Sequence, residues 1–382
     1  MTPIRVVFLN GSGLPGGGEI ALAQLASGIP GGEIALFEHG PAEDLFRGKG
    51  IKVEVKSISP KLLENSKESG FPGPGLVAAA LRHSVGLAFF LRRFDVVHCN
   101  NQKAWVVGAF ASALARRPTV WHLHDILSPE HFSRSKIRLV VALARWRRAK
   151  VVANSNASAQ AFILAGGRRS QVEVLYNPVD PAPFQSAEPI AGLRSDLGCV
   201  EEPLWGLFSR LASWKGQHIA IDALSRLPKG HLILVGSALF GEEPWEAHLR
   251  EKVRGMGLER RVHFLGFRKD IPELLATVDG AIHASTVAEP FGLVILEAQL
   301  AGKPVVATAA GGATEIVTHG KDGWLVPPGD ADALADVLAG WTSDPEAAAS
   351  VGRSAAIHAA AKFDLEKLSS RFLEILREAA RG

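Results

Sequence analysis

The sequence predicts an α/β protein of two doubly wound domains, each a parallel sheet covered by helices on both faces. Three observations lead there. At 382 residues the chain exceeds what one hydrophobic core usually serves. Short β-branched runs alternate with longer amphipathic ones from end to end, the pattern of parallel sheets with helical crossovers. The alternation also starts afresh after Asn177-Pro178-Val179-Asp180-Pro181-Ala182-Pro183, whose prolines suit a linker rather than an element. Domains over residues 1–180 and 181–363 follow.

In the first domain, residues 4–10 carry Ile4 and Val6-Val7 and read as a strand. Further strands are expected at 33–37, 52–56, 95–99, 119–123, 150–154 and 173–176, each a short apolar run bounded by turn-forming or charged residues. Helical periodicity lies between them, as at 19–26 and 106–115. The second domain repeats the scheme, with strands at 204–209, 231–235, 262–265, 280–283, 304–307 and 324–326 and helices at 217–227 and 244–255. The longest irregular stretch, 57–75, is rich in Ser, Lys, Pro and Gly, and a loop that long within a compact domain tends to be functional or mobile. Residues 364–380 form a terminal helix with Leu365, Leu368, Phe372, Ile375 and Leu376 on one side. Ligands of open α/β sheets bind beyond the carboxyl ends of the strands, so the two domains are expected to face each other across a cleft.

Composition places the chain among ordinary globular enzymes, with 47% hydrophobic and 21% charged residues. Cys99 and Cys199 stand in no CxxC or other metal-ligand spacing, which fits a reducing, cytoplasmic compartment. The N-terminus runs directly into a strand-like segment, so no signal peptide is expected. The apolar stretch 76–91 is broken by Arg82 and His83 and is too short to span a bilayer. A net charge of +3 conceals +9 over residues 1–180 and −6 over 181–382. That asymmetry suits either an anionic partner of the first domain or a solvated basic face.

Gly11-Ser12-Gly13-Leu14-Pro15-Gly16 follows the first strand as a literal GxGxxG, with Glu38 standing where a ribose-binding acid would be. Pro15 and the continuing Gly17-Gly18 lengthen the loop beyond the tight turn of a dinucleotide site, and the helix is expected only from Glu19. The dehydrogenase reading is set aside. What survives is a glycine-rich turn whose backbone N–H groups can approach an anion at a helix N-terminus.

The second domain is more specific. Ser209-Arg210-Leu211-Ala212-Ser213-Trp214-Lys215-Gly216 follows its first strand, and Arg210 with Lys215 suits a diphosphate: a fork of donors and a mobile point charge. Ala288-Glu289-Pro290-Phe291-Gly292-Leu293-Val294-Ile295-Leu296-Glu297-Ala298 then places one acid in a loop, a helix start at Gly292, and a second acid on the helix. At about 1.5 Å per residue Glu297 lies roughly 7–8 Å along the axis from that start, a spacing for two sections of one extended ligand.

These segments, with Val262-His263-Phe264-Leu265-Gly266-Phe267, Gly302-Lys303-Pro304-Val305-Val306-Ala307, Ala310-Gly311-Gly312 and Val326-Pro327-Pro328-Gly329-Asp330, resemble glycosyltransferase family 4. The resemblance covers nearly the whole chain and is most specific over 204–330. It implies the GT-B fold and a retaining transfer of a hexose-type sugar from a nucleoside-diphosphate sugar, UDP or GDP, to an acceptor hydroxyl. Bacterial glycan, glycolipid or glycoside biosynthesis is the expected setting, with a sugar, lipid-linked or small-molecule acceptor. A sugar-nucleotide epimerase or a non-catalytic relative shares the architecture. The resemblance also implies that the terminal helix 364–382 crosses back to the first domain.

Residue by residue, it implies that Arg210 and Lys215 clamp the diphosphate, Glu297 accepts hydrogen bonds from the ribose hydroxyls and Glu289 faces the donor sugar. Backbone N–H groups of Phe291, Gly292 and Leu293 would bind sugar hydroxyls and the distal phosphate, Phe267 and Arg268 the base, and Gly17 and Gly18 the distal phosphate from the other domain. Trp121-His122-Leu123-His124-Asp125 ends a strand, and His124 matches the family's donor-sugar histidine. Strand alternation puts His122 and His124 on the same side, so the residues alone permit either. Family position sets Asn100 and Asn101 at the acceptor pocket.

No cofactor, metal or nucleic-acid partner is expected. The single DxD-like pair, Asp330-Ala331-Asp332, reads as a helix N-cap with an acidic first turn. Segment 134–150 carries seven basic residues, Arg134, Lys136, Arg138, Arg145, Arg147, Arg148 and Lys150, around Ile137, Val140, Val141 and Ala144 at helical spacing. Such a helix can lie on an anionic membrane as a peripheral contact, or pack its apolar face on the sheet with its charges solvated.

Overall fold

The computed structural model describes residues 4–58, 74–239 and 241–381, with 74–81 as backbone alone. It divides into two compact units, Met1–Pro178 with Asp364–Gly382, and Val179–Phe363. Most of the expected irregular stretch 57–75 lies outside the described residues.

The first unit holds seven parallel strands: β1 (Val6–Asn10), β2 (Glu33–Leu36), β3 (Lys52–Val55), β4 (Val96–Cys99), β5 (Thr119–Leu123), β6 (Lys150–Ala153) and β7 (Val172–Val174). Their order is β3-β2-β1-β4-β5-β6-β7, so chain direction across the sheet reverses between β1 and β4. Val6, Val7, Phe8 and Leu9 are fully buried, which is why β1 reads as a continuous apolar run rather than an alternation. One face of the sheet packs on the helices Pro74–Leu91, Gln102–Ala115, Arg134–Arg147 and Asn156–Leu164. The helix Arg134–Arg147 buries Ile137, Val140, Val141, Leu143 and Ala144 in that core. The apolar face that sequence reasoning left available to a membrane is therefore spent on the protein's own sheet.

The other face packs on the helix Gly17–Ser27 and on the terminal helix Leu365–Arg381. Phe372, Ile375 and Leu376 of the latter are fully buried among Phe8, Val96, Val120 and Val152. Arg371 adds an ion pair to Glu173 at 2.6 Å. The terminal helix thus belongs to the first unit, as the resemblance implied.

The second unit repeats the plan with β8 (Leu204–Phe208), β9 (His231–Val235), β10 (Val262–Gly266), β11 (Gly280–His283), β12 (Val305–Thr308) and β13 (Trp324–Val326), ordered β10-β9-β8-β11-β12-β13 and all parallel. Its switch point falls between β8 and β11. The two loops that carry Arg210, Lys215 and Glu289 leave those strands side by side. Among the described residues no helix is long and apolar enough to cross a membrane.

Candidate active site

In the second unit, the loop after β8 is drawn against the loop after β11. Gly216 caps the helix Gln217–Ser225 at φ 71°, and a Cβ there would lie 1.8 Å from the Ala284 carbonyl oxygen. Only glycine meets both conditions. The Thr286 N–H donates to Trp214 O at 2.8 Å and completes the join. On the far side, Gly311 at φ 60° lies against the Glu289 backbone, and the Gly312 N–H donates to Glu289 O at 2.8 Å. The Gly-Gly motif pins the backbone of the acid.

The Glu289 side chain is correspondingly well held. Lys215 Nζ donates to its Oε1 at 2.5 Å, while His283 Nε2 at 2.6 Å and Ser285 Oγ at 2.9 Å engage its Oε2. Burial alone would push this carboxyl up; Lys215 and His283 outweigh it and hold Glu289 well below the usual carboxylate range. Neither His283 nor Ser285 was singled out from the sequence. Both stand at the end of β11, a few residues before Glu289, and position at a strand's carboxyl end is the signal that could have found them. Lys215 also packs its ammonium over the Trp214 ring at 4.3 Å.

Glu297 differs from Glu289. It lies on the helix Leu293–Leu300, is half-buried, and its side chain makes no hydrogen bond among the described residues. Burial pushes its carboxyl up to about 7. The helix begins at Gly292, φ 101°, where the first-turn N–H groups lack intrahelical partners. Phe291 turns its ring into the core against Phe363 at 5.7 Å, so only its backbone is available to a ligand. Leu293 is half-buried at the first turn.

Arg210 Nε lies 3.1 Å from Glu242 Oε2, an acid in an irregular loop that carried no sequence signal. Phe267 is 68% exposed after the left-handed Gly266, and Arg268 forks onto Asp270, with Nε to Oδ1 at 2.8 Å. Asp330 caps the helix Ala331–Ser343 through the Ala333 N–H at 2.9 Å, while Asp332 pairs with Arg226 at 2.5 Å. The two carboxylates of the DxD-like pair thus serve separate partners.

In the first unit, the polar cluster sits at the carboxyl ends of β1, β4 and β5. The helix after the glycine loop starts at Gly17, two residues earlier than expected, with Gly16 as its N-cap and Glu19 Oε2 accepting from the Gly16 N–H at 3.1 Å. Glu38 accepts from the Gly13 N–H at 2.9 Å. The acid that stood in the place of a ribose ligand holds the loop instead.

Gly18 lies against His124: a Cβ there would be 3.2 Å from the imidazole. His124 Nε2 is 3.0 Å from Asn100 Oδ1, and Asn100 Nδ2 donates to Asn10 Oδ1 at 3.0 Å and to Gly18 O at 3.1 Å. With both amide hydrogens committed to acceptors, Asn100 presents only oxygen to His124, so the proton of that bond is on His124 Nε2. Burial pushes His124 down to about 4, and the ring is neutral at pH 7. His122, stacked on it at 4.0 Å, is fully buried beside His98 and Phe372, so of the two histidines His124 alone keeps solvent-exposed surface. Asn100 is likewise fully buried, with both amide hydrogens and its oxygen engaged inside the first unit. It cannot line an acceptor pocket, and the expectation that it does is corrected. Asn101 caps the helix Gln102–Ala115 through the Ala104 N–H at 2.9 Å.

Two family models match the chain: "Glycosyl transferases group 1" over residues 199–358 and "Glycosyltransferase Family 4" over 15–183. A Mycobacterium tuberculosis glycogen synthase is 32% identical, covering 76% of this chain and 70% of that protein. The crystal structure of Anabaena HepE in complex with UDP-glucose is similar at TM-score 0.89 and 42% identity, over 98% of this chain and all of that one. The same protein in complex with UDP and glucose aligns equally well, at TM-score 0.89.

Proposed function

This chain belongs to glycosyltransferase family 4 and is a glycosyltransferase of GT-B fold; we propose that its donor is a UDP-sugar and that it transfers a hexose to an acceptor hydroxyl with retention of configuration. The observation that carries the reading is the divided pair of acids in the second unit. Glu289 is ionised and held by Lys215, His283 and Ser285, while Glu297 is unengaged on the helix that starts at Gly292. In the proposed complex Glu297 takes the ribose hydroxyls and Glu289 the sugar. Arg210 and Lys215 meet the diphosphate, Phe267 and Arg268 the base, and N–H groups of Phe291, Gly292 and Leu293 the sugar and distal phosphate. From the first unit, Gly17 and Gly18 belong to the distal phosphate and His124 to the sugar. The choice of UDP over GDP draws on HepE, whose structures hold UDP and UDP-glucose.

Cleaving a sugar–diphosphate bond leaves positive charge on the anomeric carbon and negative charge on the departing diphosphate. No base is needed at that step, so the protein acts through preorganised donors at the leaving group. Arg210 and Lys215 supply fixed cations there, which is why the transfer is proposed to need no metal. Lys215 begins bonded to Glu289, so an arriving diphosphate competes with the carboxylate for its ammonium. The acceptor hydroxyl is proposed to attack on the face the diphosphate leaves, with Glu289 held in place by Lys215, His283 and Ser285. A cytoplasmic setting, where nucleotide sugars are available, belongs to the same proposal.

A thermal-shift screen of UDP-, GDP- and ADP-sugars, followed by an assay for slow hydrolysis, tests the donor. UDP-sugars are expected to raise the melting temperature and to be hydrolysed without acceptor. A shift with GDP- or ADP-sugars alone overturns the choice of nucleotide, and epimerised product without transfer overturns the reaction.

A further inference from the structure

Four consecutive crossovers of the first unit end alike. The helices Pro74–Leu91, Gln102–Ala115, Arg134–Arg147 and Asn156–Leu164 lead into β4, β5, β6 and β7. At or just beyond each helix end stands an arginine pair: Arg92-Arg93, Arg116-Arg117, Arg147-Arg148 and Arg168-Arg169. The four strands are neighbours and parallel, and the four helices share one core on the same face. The pairs therefore form a row along the sheet edge at the strands' amino ends, opposite the edge that carries His124. An exposed apolar side chain accompanies each pair: Phe89 (65%), Leu114 (50%), Trp146 (55%) and Leu164 (78%).

The members of these pairs divide their roles. Arg117 Nη2 donates to Arg92 O at 2.6 Å and Arg147 Nη2 to Arg117 O at 2.9 Å, tying neighbouring helix ends together. Arg93 is drawn toward Glu33 and Glu54. Arg92, Arg116, Arg148, Arg168 and Arg169 are exposed, and among the described residues no ion pair to a carboxylate engages them. A helix macrodipole accounts for a cation near each helix end. It does not account for arginine at positions 116 and 148, whose φ values of 56° and 50° make them the only non-glycine residues in the left-handed region among the described residues. Glycine would sit there without a steric cost of about 1–2 kcal/mol. The sequence keeps a charge at two positions where the backbone disfavours it.

The geometry selects the class of partner. Packed helices lie about 8–10 Å apart, so guanidinium groups on successive helix ends do not converge on one phosphate. A row of separated charges fits a surface that carries many. Aromatic rings alone could serve single-stranded nucleic acid, but Leu114 and Leu164 offer no ring to stack on; aliphatic and aromatic side chains among arginines suit the headgroup boundary of a bilayer. We propose that this edge docks the first unit on an anionic lipid bilayer, with the arginines at the headgroups and Phe89, Leu114, Trp146 and Leu164 at the apolar boundary. The excess of +9 over residues 1–180 acts in the same direction. The surface differs from the apolar stripe of 134–150, which is buried, and the proposal is independent of the donor reading.

Co-sedimentation of the full chain with vesicles tests it. The wild type is expected to bind phosphatidylcholine vesicles containing phosphatidylglycerol at low salt, to release at high salt, and to ignore phosphatidylcholine alone. In an Arg92→Gln/Arg116→Gly/Arg148→Gly variant, partitioning should fall about a hundredfold, each basic residue near the surface contributing roughly fivefold. Glycine suits the left-handed backbone at 116 and 148, so the variant should fold, with an unchanged circular dichroism spectrum and unchanged donor hydrolysis. Equal partitioning of variant and wild type, or no binding to phosphatidylglycerol at low salt, overturns the proposal. So does a single-stranded oligonucleotide that binds more tightly than the vesicles. Competition by free glycerol phosphate would replace the row with a single-phosphate site.

Discussion

Glu289 and Glu297 sit on one loop-and-helix segment yet titrate in opposite directions, the first held well below the usual range and the second pushed up to about 7. The cause is their company. Lys215, His283 and Ser285 surround one carboxylate, and half-burial without a partner leaves the other waiting. The folded state holds a proton on Glu297 that the unfolded chain gives up, so this residue lowers stability as pH rises from about 4.5 through about 7. Glu297→Gln should therefore unfold at higher urea above pH 7, while donor affinity falls and loses the decline that the wild type shows below about pH 7. Urea melts and donor titrations across pH check both halves. A variant that is less stable and binds as before would remove Glu297 from the ribose.

Gly216 connects that chemistry to an element. Its left-handed backbone starts the helix Gln217–Ser225, and its missing side chain lets the Lys215 loop reach the loop after β11. Gly216→Ala should cost about 2–4 kcal/mol, because strain and a backbone clash add, and should lower turnover more than a surface change of equal destabilisation. Urea midpoints and steady-state rates give the comparison; a variant with normal stability and rate would show that the close approach is unnecessary.

At this scale the sequence was most legible. All thirteen expected strands form; central ones such as β1, β4, β5, β8 and β9 are buried along their whole length and read as short apolar runs with sharp boundaries. Most ends moved by a residue or two, but the helix expected from 106 starts four residues earlier, at Gln102, where Asn101 caps it. The helix Arg134–Arg147 was legible as amphipathic but not in what its apolar stripe would cover, since periodicity is the same for a sheet or a bilayer.

Over the whole molecule, what escaped the sequence is what depends on distant contacts. Lys215 and Glu289 were each visible as candidate groups, but their bond joins residues 74 positions apart. That His124 and not His122 keeps exposed surface also depends on a distant element, since Phe372 arrives from the terminal helix and packs against His122. The same packing sets the pH response. Burial depresses His98 to about 3, His124 to about 4 and His122 well below its ordinary value. The unfolded chain takes up protons that these rings refuse, so the stability of the first unit is full above about pH 6.5 and is lost progressively as pH falls toward about 4. The urea midpoint should drop between about pH 7.5 and about pH 5, and a midpoint that rises over that interval would contradict burial of the neutral rings.

The most direct test of the donor site is the rate of UDP release from a UDP-sugar by the wild type, Arg210→Ala and Lys215→Ala, each shown to be folded. Loss of one preorganised donor at the leaving diphosphate is expected to lower turnover by about a hundredfold or more in each variant. Near-wild-type turnover in both folded variants would contradict the assignment of these two cations to the diphosphate.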